Sequence, residues 1–178
     1  KTHHNELGQD LYLRIALELH HKRLIVGGME RIFEIGRVFS NEGVSYKHNP
    51  EYTLLELYEA YSDYNDIMEL TELLIAGCVK SIHGSYSLTY LDETIDFTPP
   101  FKRMTLDEAL QEYADISIES ELEDLTRKAK SLGLDSAITP VKGELINFIY
   151  DKCVESNLIQ PTFILDHPWE TSPLAKRK

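Results

Sequence analysis

Glu56 and Tyr58 lie two residues apart, a short way after a cluster of polar residues, Lys47-His48-Asn49. In an extended chain, period two puts Glu56 and Tyr58 on one face. A carboxylate and a phenolic oxygen together suit an ammonium group, which is costly to bury unless such acceptors meet it. Lys47, His48 and Asn49 offer positive charge and hydrogen-bond donors to phosphate oxygens. The pattern suits a site that takes a cationic small molecule beside a nucleotide. A plainer reading stays open at each position. Glu56 can structure a sheet, Tyr58 can pack in a core, and Lys47 with His48 can form a solvated loop.

The elements that must position these groups are legible around them. In Arg31–Phe39 the residues Ile32, Glu34, Gly36 and Val38, continued by Ser40, point one way. Phe33, Ile35, Arg37 and Phe39 point the other, which is strand periodicity. A polar connection follows, and Tyr52 to Tyr61 alternates again, with Leu54, Glu56, Tyr58 and Ala60 on one face. Hairpins commonly turn in two to five residues, so a longer charge-bearing connection invites a functional reading.

These residues also carry a resemblance. Arg31 to Tyr61 resembles motif 2 of the class II aminoacyl-tRNA synthetases, and the flanks resemble the lysyl-tRNA synthetases in particular. The supporting runs are THHNELGQDLYLRIALEL, HNPEYTLLELYEAYSDYND and QPTFILDHPWETSPLAK, the last ending in Ser172 to Lys176. The similarity extends over essentially all 178 residues.

The resemblance implies an α+β fold, an antiparallel sheet flanked by helices, present here as an incomplete catalytic domain. It implies lysine, ATP and tRNA(Lys) as partners, with neither a membrane nor DNA, and a homodimer in the full-length enzyme. Catalytic positions fall at Ser40, Glu42 and His48, and ATP-binding positions at Glu42, Lys47, His48, Asn49 and Tyr52. Lysine binding falls to Glu18 for the α-amino group and to Glu56 and Tyr58 near the side-chain ammonium. Mg2+ is expected in the full-length enzyme, with ligands outside these residues. Motifs 1 and 3 and an N-terminal anticodon-binding OB domain are expected to lie beyond this stretch.

One position departs sharply from the family pattern. Aligning VFSNEG with the usual F-R-N-E-G places Ser40 where the family has the arginine that touches the carboxylate and the α-phosphate. Serine supplies neither a fixed positive charge nor a bidentate fork. Losing one preorganised transition-state contact costs ~3–4 kcal/mol, roughly two to three powers of ten in rate. Arg37 points to the opposite face. Lys47 replaces a more frequent arginine, Tyr52 a phenylalanine, and Trp169 a small aliphatic residue.

Composition bounds the remaining choices. Hydrophobic residues make up 42% and charged residues 27%, ordinary for a globular protein. No apolar run approaches the ~20 residues of a membrane helix, and the first residues do not read as a secretory signal. The net charge of −12 argues against this segment as the main RNA-binding surface, because phosphate contacts need Lys or Arg. Cys78 and Cys153 lack metal spacing and read as two buried thiols in a reducing cytoplasm. The pairs His3-His4 and His20-His21 cannot each share one face, so neither reads as a zinc site. No GxGxxG or Walker sequence is present.

Elsewhere, Asp10–Ala16 alternates as a strand, and Glu18 to Leu24 reads as a short helix stopped by Gly27-Gly28. Asp63 is expected to cap a helix over Asn65–Ser81 whose apolar positions are Ile67, Leu70, Leu74 and Ile75. Ser87–Leu91 and Glu93–Phe97 read as a hairpin. Thr105 and Glu108 form a capping box for a helix over Leu106–Tyr113. Further helices are expected over Ile118–Leu132, with an acidic solvated start, and over Lys142–Asn157, with a strand at Thr162–Leu165.

Three functions remain distinguishable. The first is a lysine–tRNA ligase that forms lysyl-adenylate. The second is a paralogue that attaches a lysine-like amino acid to a protein such as an elongation factor. The third is a non-catalytic or decayed lysine- and ATP-binding module, which Ser40 favours.

Overall fold

The computed structural model describes residues 1–46, 48–135, 141–172 and 174–176. It divides into two units, Lys1–Tyr64 and Asn65–Lys178. In the first, β1 (Thr2–His4) and β2 (Gln9–Leu11) form a small antiparallel pair. Helix α1 (Glu18–Val26) then packs on a hairpin of β3 (Arg31–Phe39) and β4 (Glu51–Glu59). Gly27 caps α1, and Gly28 follows at φ +100°, the left-handed turn that stops the helix. Leu17 and Val38 are fully buried in this unit, while Phe33 and Ile35, on the other face of β3, are exposed.

The expected strand over Asp10–Ala16 stops at Leu11. Arg14 instead runs beside β3, its carbonyl accepting from Phe39 N at 2.9 Å. That residue's side chain crosses the strand, as described below.

In the second unit, α2 (beginning at Tyr64 and ending at His83) is followed by a hairpin of β5 (Ser87–Tyr90) and β6 (Glu93–Asp96). Its two-residue turn, Leu91-Asp92, takes positive φ at both positions, the geometry that matches strand twist. Next come β7 (Lys102–Thr105), α3 (Leu106–Ala114), α4 (Leu122–Ser131), α5 (Lys142–Cys153) and β8 (Thr162–Leu165). The capping box at α3 is present: Thr105 Oγ1 accepts from Glu108 N at 3.1 Å and Glu108 accepts from Thr105 N at 2.8 Å. Leu106, Leu110, Leu125, Leu145 and Ile149 form the core where α3, α4 and α5 meet. Asp107 ties α3 to the next turn, accepting from Ser117 Oγ at 2.7 Å and Ile118 N at 2.8 Å.

Several expectations are corrected here. Strands β7 and β8 pair in parallel, joined by the α3–α5 crossover, so the sheets are not uniformly antiparallel. The buried stripe of α2 is Met68, Glu72 and Ala76, whereas Leu70, Leu74 and Ile75 are exposed. Glu72 is tolerated inside because it accepts from Phe101 N at 3.1 Å and pairs with Arg103 at 2.9 Å. Helix α4 starts only at Leu122, because the Asp107 contacts hold Ser117 and Ile118 in a turn. The last long helix ends at Cys153, with a 3-10 turn over Glu155–Asn157. Cys78 is exposed and Cys153 partly so, not buried thiols. Trp169 opens a short 3-10 turn. Among the described residues no helix is long and apolar enough to cross a membrane.

Candidate functional site

The β3–β4 register decides which groups meet. Ile32 faces Tyr58, Glu34 faces Glu56, Gly36 faces Leu54 and Val38 faces Tyr52. Two carboxylates directly across a strand pair repel one another. Each is answered by a different neighbour. Arg14 donates from Nη1 to Glu34 Oε1 at 2.6 Å and from Nε to the Arg37 carbonyl at 2.8 Å. The guanidinium beside Glu34 holds that carboxyl below the ordinary glutamate range. The absent side chain of Gly36 makes room for it, since a Cβ there would lie 2.0 Å from Arg14 Nη2.

Glu56 is answered by Tyr58, whose hydroxyl donates to Oε1 at 2.5 Å. Burial, then the Glu56 carboxylate and the Glu18 charge, push the Tyr58 phenol well above its usual range. The hydroxyl therefore stays protonated and keeps donating at neutral pH. Glu56 Oε2 is buried and has no hydrogen-bond partner. A carboxylate oxygen held in that state is an acceptor set for a donor, and a cationic one suits it best. Glu18, in the first turn of α1, pairs with Lys22 one turn on and lies near enough to act on Tyr58.

The connection between the strands forms a cavity of about 320 Å³, lined by Ser40, Glu42, His48, Asn49 and Tyr52, with Gly43 and Pro50. Five sequence-predicted positions thus come together, while Lys47 lies outside the described residues. Ser40 N donates to the Pro50 carbonyl at 2.8 Å, and Ser40 Oγ accepts from Glu42 N at 3.2 Å. His48 Nδ1 meets Ser45 Oγ at 2.7 Å, and the two residues exchange both backbone hydrogen bonds at 3.1 Å. Asn49 Nδ2 donates to the Glu51 carbonyl at 2.6 Å. Arg37 lies on the opposite face paired to Glu51, so it brings no charge to the Ser40 side of the sheet. Glu56 and Tyr58 do not line this cavity but share their strand face with Tyr52.

Among the described residues, no group of three or more His, Cys, Asp or Glu comes together to hold a metal ion. A second cavity, of about 350 Å³, lies in Asn65–Lys178 among Ile75, Phe97, Phe101 and Phe163. Its lining holds no titratable side chain.

The family model for class II tRNA synthetases (D, K and N) matches residues 1–178, the whole chain. This chain belongs to that family. Similar members include the lysine–tRNA ligases of Thermoanaerobacter sp. (strain X514), 52% identical over 99% of this chain, and of Moorella thermoacetica, 51% identical over 99%. The lysine–tRNA ligase of Trichormus variabilis is 49% identical over 98%. The chain spans 36%, 37% and 32% of those three proteins, about a third of their length.

For a class II synthetase domain, the hairpin holds more polar machinery than the sequence reading named. Arg14, His21 and Glu34 form a connected group on the Glu56 face. His21 Nε2 lies 3.3 Å from Glu34 Oε2, and its ring meets Tyr58 edge-on at 5.6 Å and 79°. The signals were present. Glu34 alternates onto the same face as Val38, and His21 falls three residues after Glu18 on one helix face.

Proposed function

We propose that this chain is part of the catalytic domain of a lysine–tRNA ligase, activating lysine with ATP before transfer to tRNA(Lys). The observation that carries the reading is the buried, partnerless Glu56 Oε2 beside a Tyr58 that stays protonated. Such a wall receives an ammonium. The named relatives support the identity of the amino acid, since each is a lysine–tRNA ligase. Glu18 takes the α-amino group, and Glu56 with Tyr58 the side-chain ammonium. In the cavity, Glu42 reads adenine, Tyr52 stacks on it, and His48, Asn49 and Lys47 meet the phosphates. ATP is a substrate, and Mg2+ accompanies it through ligands we assign beyond this chain. In the full-length enzyme the β3–β4 pair belongs to an antiparallel sheet flanked by helices, and the enzyme is a homodimer working in the cytoplasm.

A second reading is favoured by one observation. Ser40, at the arginine position, accepts from Glu42 N through Oγ and, being neutral, offers the α-phosphate no charge. That suits a lysine- and ATP-binding module with little activation chemistry. Lysine-dependent ATP–pyrophosphate exchange in the full-length protein, with Ser40 or with Ser40→Arg, separates the two. Exchange that appears or rises with arginine supports a ligase framework carrying an impaired copy of motif 2. Lysine binding without exchange in either form supports the binding module.

A further inference from the structure

The described residues hold two buried side-chain polar atoms without a hydrogen-bond partner, Glu56 Oε2 and His21 Nδ1. Both belong to the Lys1–Tyr64 unit, and Tyr58 touches both side chains, donating to Glu56 and meeting the His21 ring edge-on. The first atom is accounted for by the ammonium reading above. The second is not.

His21 is buried, its side chain only 4% exposed. Its Nε2 approaches Glu34 Oε2, and Glu34 is ionised, held so by Arg14. An ionised carboxylate only accepts, so Nε2–H is the donor toward Glu34, and whenever the ring is neutral its other nitrogen, Nδ1, is the acceptor. Nδ1 is then a bare acceptor, enclosed and unmet. An apolar residue buried here, as Leu17 is just before the helix, would carry no such cost.

Resting on the lysine-pocket reading, we infer that His21 is a specificity-determining residue whose Nδ1 accepts a hydrogen bond from the ligand's side-chain ammonium. A primary ammonium has three donors, and the two partnerless atoms, on side chains that both touch Tyr58, are a carboxylate oxygen and an imidazole nitrogen. The Arg14–Glu34 pair acts at one remove: it fixes the tautomer that leaves Nδ1 free to accept.

Two substitutions separate the ring's nitrogens. His21→Gln can keep a donor toward Glu34 but has no acceptor where Nδ1 stood. His21→Asn places its amide oxygen near the Nδ1 position but loses the reach to Glu34. In the full-length protein, calorimetric titration with L-lysine and with L-norleucine, which lacks the amine, gives the readout. The expected result is an affinity for lysine weakened about tenfold or more in His21→Gln, and retained within about threefold in His21→Asn. Norleucine binding should change in neither. Should the variants fold poorly, 15N spectra of the unmodified protein give an independent answer. Lysine, but not norleucine, should move the His21 Nδ1 resonance from its unprotonated position. Lysine binding that is undiminished in His21→Gln, or an Nδ1 resonance that lysine leaves in place, overturns the inference alone. If the unmodified protein binds no lysine, the pocket reading falls and this inference with it.

Discussion

Removing one oxygen atom, by Tyr58→Phe, tests how the Glu56 wall is held. The phenyl ring keeps its packing, so the change isolates the hydroxyl. That hydroxyl donates to Glu56 Oε1 at 2.5 Å, within the range of a charge-assisted O–H···O⁻ bond. Hydrogen bonds to charged groups contribute about 1.5–3 kcal/mol net. Both partners are only partly buried, so the lower part of that range applies, about 1.5–2 kcal/mol. With Oε2 already partnerless, the variant leaves both oxygens of a partly buried carboxylate unmet. The single Trp169 lies in the other unit, so its fluorescence is a poor reporter. Amide hydrogen exchange across the β3–β4 ladder reads the hairpin directly, and the expected acceleration is roughly 10- to 30-fold. Repeating the change in a Glu56→Gln background should cost about 1 kcal/mol less, because a neutral amide needs the donor less. Exchange within about twofold of the unmodified protein, or an equal cost in both backgrounds, would refute the argument.

Three further outcomes follow from the geometry. Gly36→Ala should drive the Arg14 guanidinium off Glu34 at a cost of about 0.5–1 kcal/mol, the scale of a solvent-screened ion pair, read by the same amide exchange. Thr105→Ala should cost about 0.5–2 kcal/mol in urea unfolding followed through Trp169, and Thr105→Ser should recover most of it. Glu34 titrates below its ordinary value in the folded protein, so its stabilising contribution is present above the unfolded glutamate range. It is lost as pH falls through the depressed folded value. Comparing acid unfolding of the unmodified protein with Glu34→Gln should show a stability gap at neutral pH that closes on acidification, and a gap independent of pH would count against the Arg14 pairing.

The hairpin was legible because its signal is dense. The β-rich run Arg31–Phe39 reads as a strand with two faces, and burial alternates between them from Arg31 to Val38 before Phe39 breaks the pattern. The α3 start was equally readable, since Thr105 and Glu108 carry their own hydrogen-bond geometry. The face of α2 was not, because Leu70, Leu73, Leu74 and Ile75 offer apolar stripes on several sides. The stripe that is buried includes Glu72, and its partners Phe101 and Arg103 lie about thirty residues away. Strand β7 is four residues long and partly charged, and it pairs with β8 only after three intervening helices. Ser40, Glu42, His48, Asn49 and Tyr52, the positions that the family pattern proposes, share one cavity. Arg14 was hidden inside an alternating run that mimics a strand, and its role depends on a glycine 22 positions on.

The most direct test is lysine-dependent ATP–pyrophosphate exchange by the full-length protein, comparing Ser40 with Ser40→Arg. If the hairpin is a lysine and ATP site lacking only its motif 2 charge, arginine should raise the exchange rate by about two to three powers of ten. An arginine form no faster than the serine form, or exchange indifferent to lysine, would contradict it.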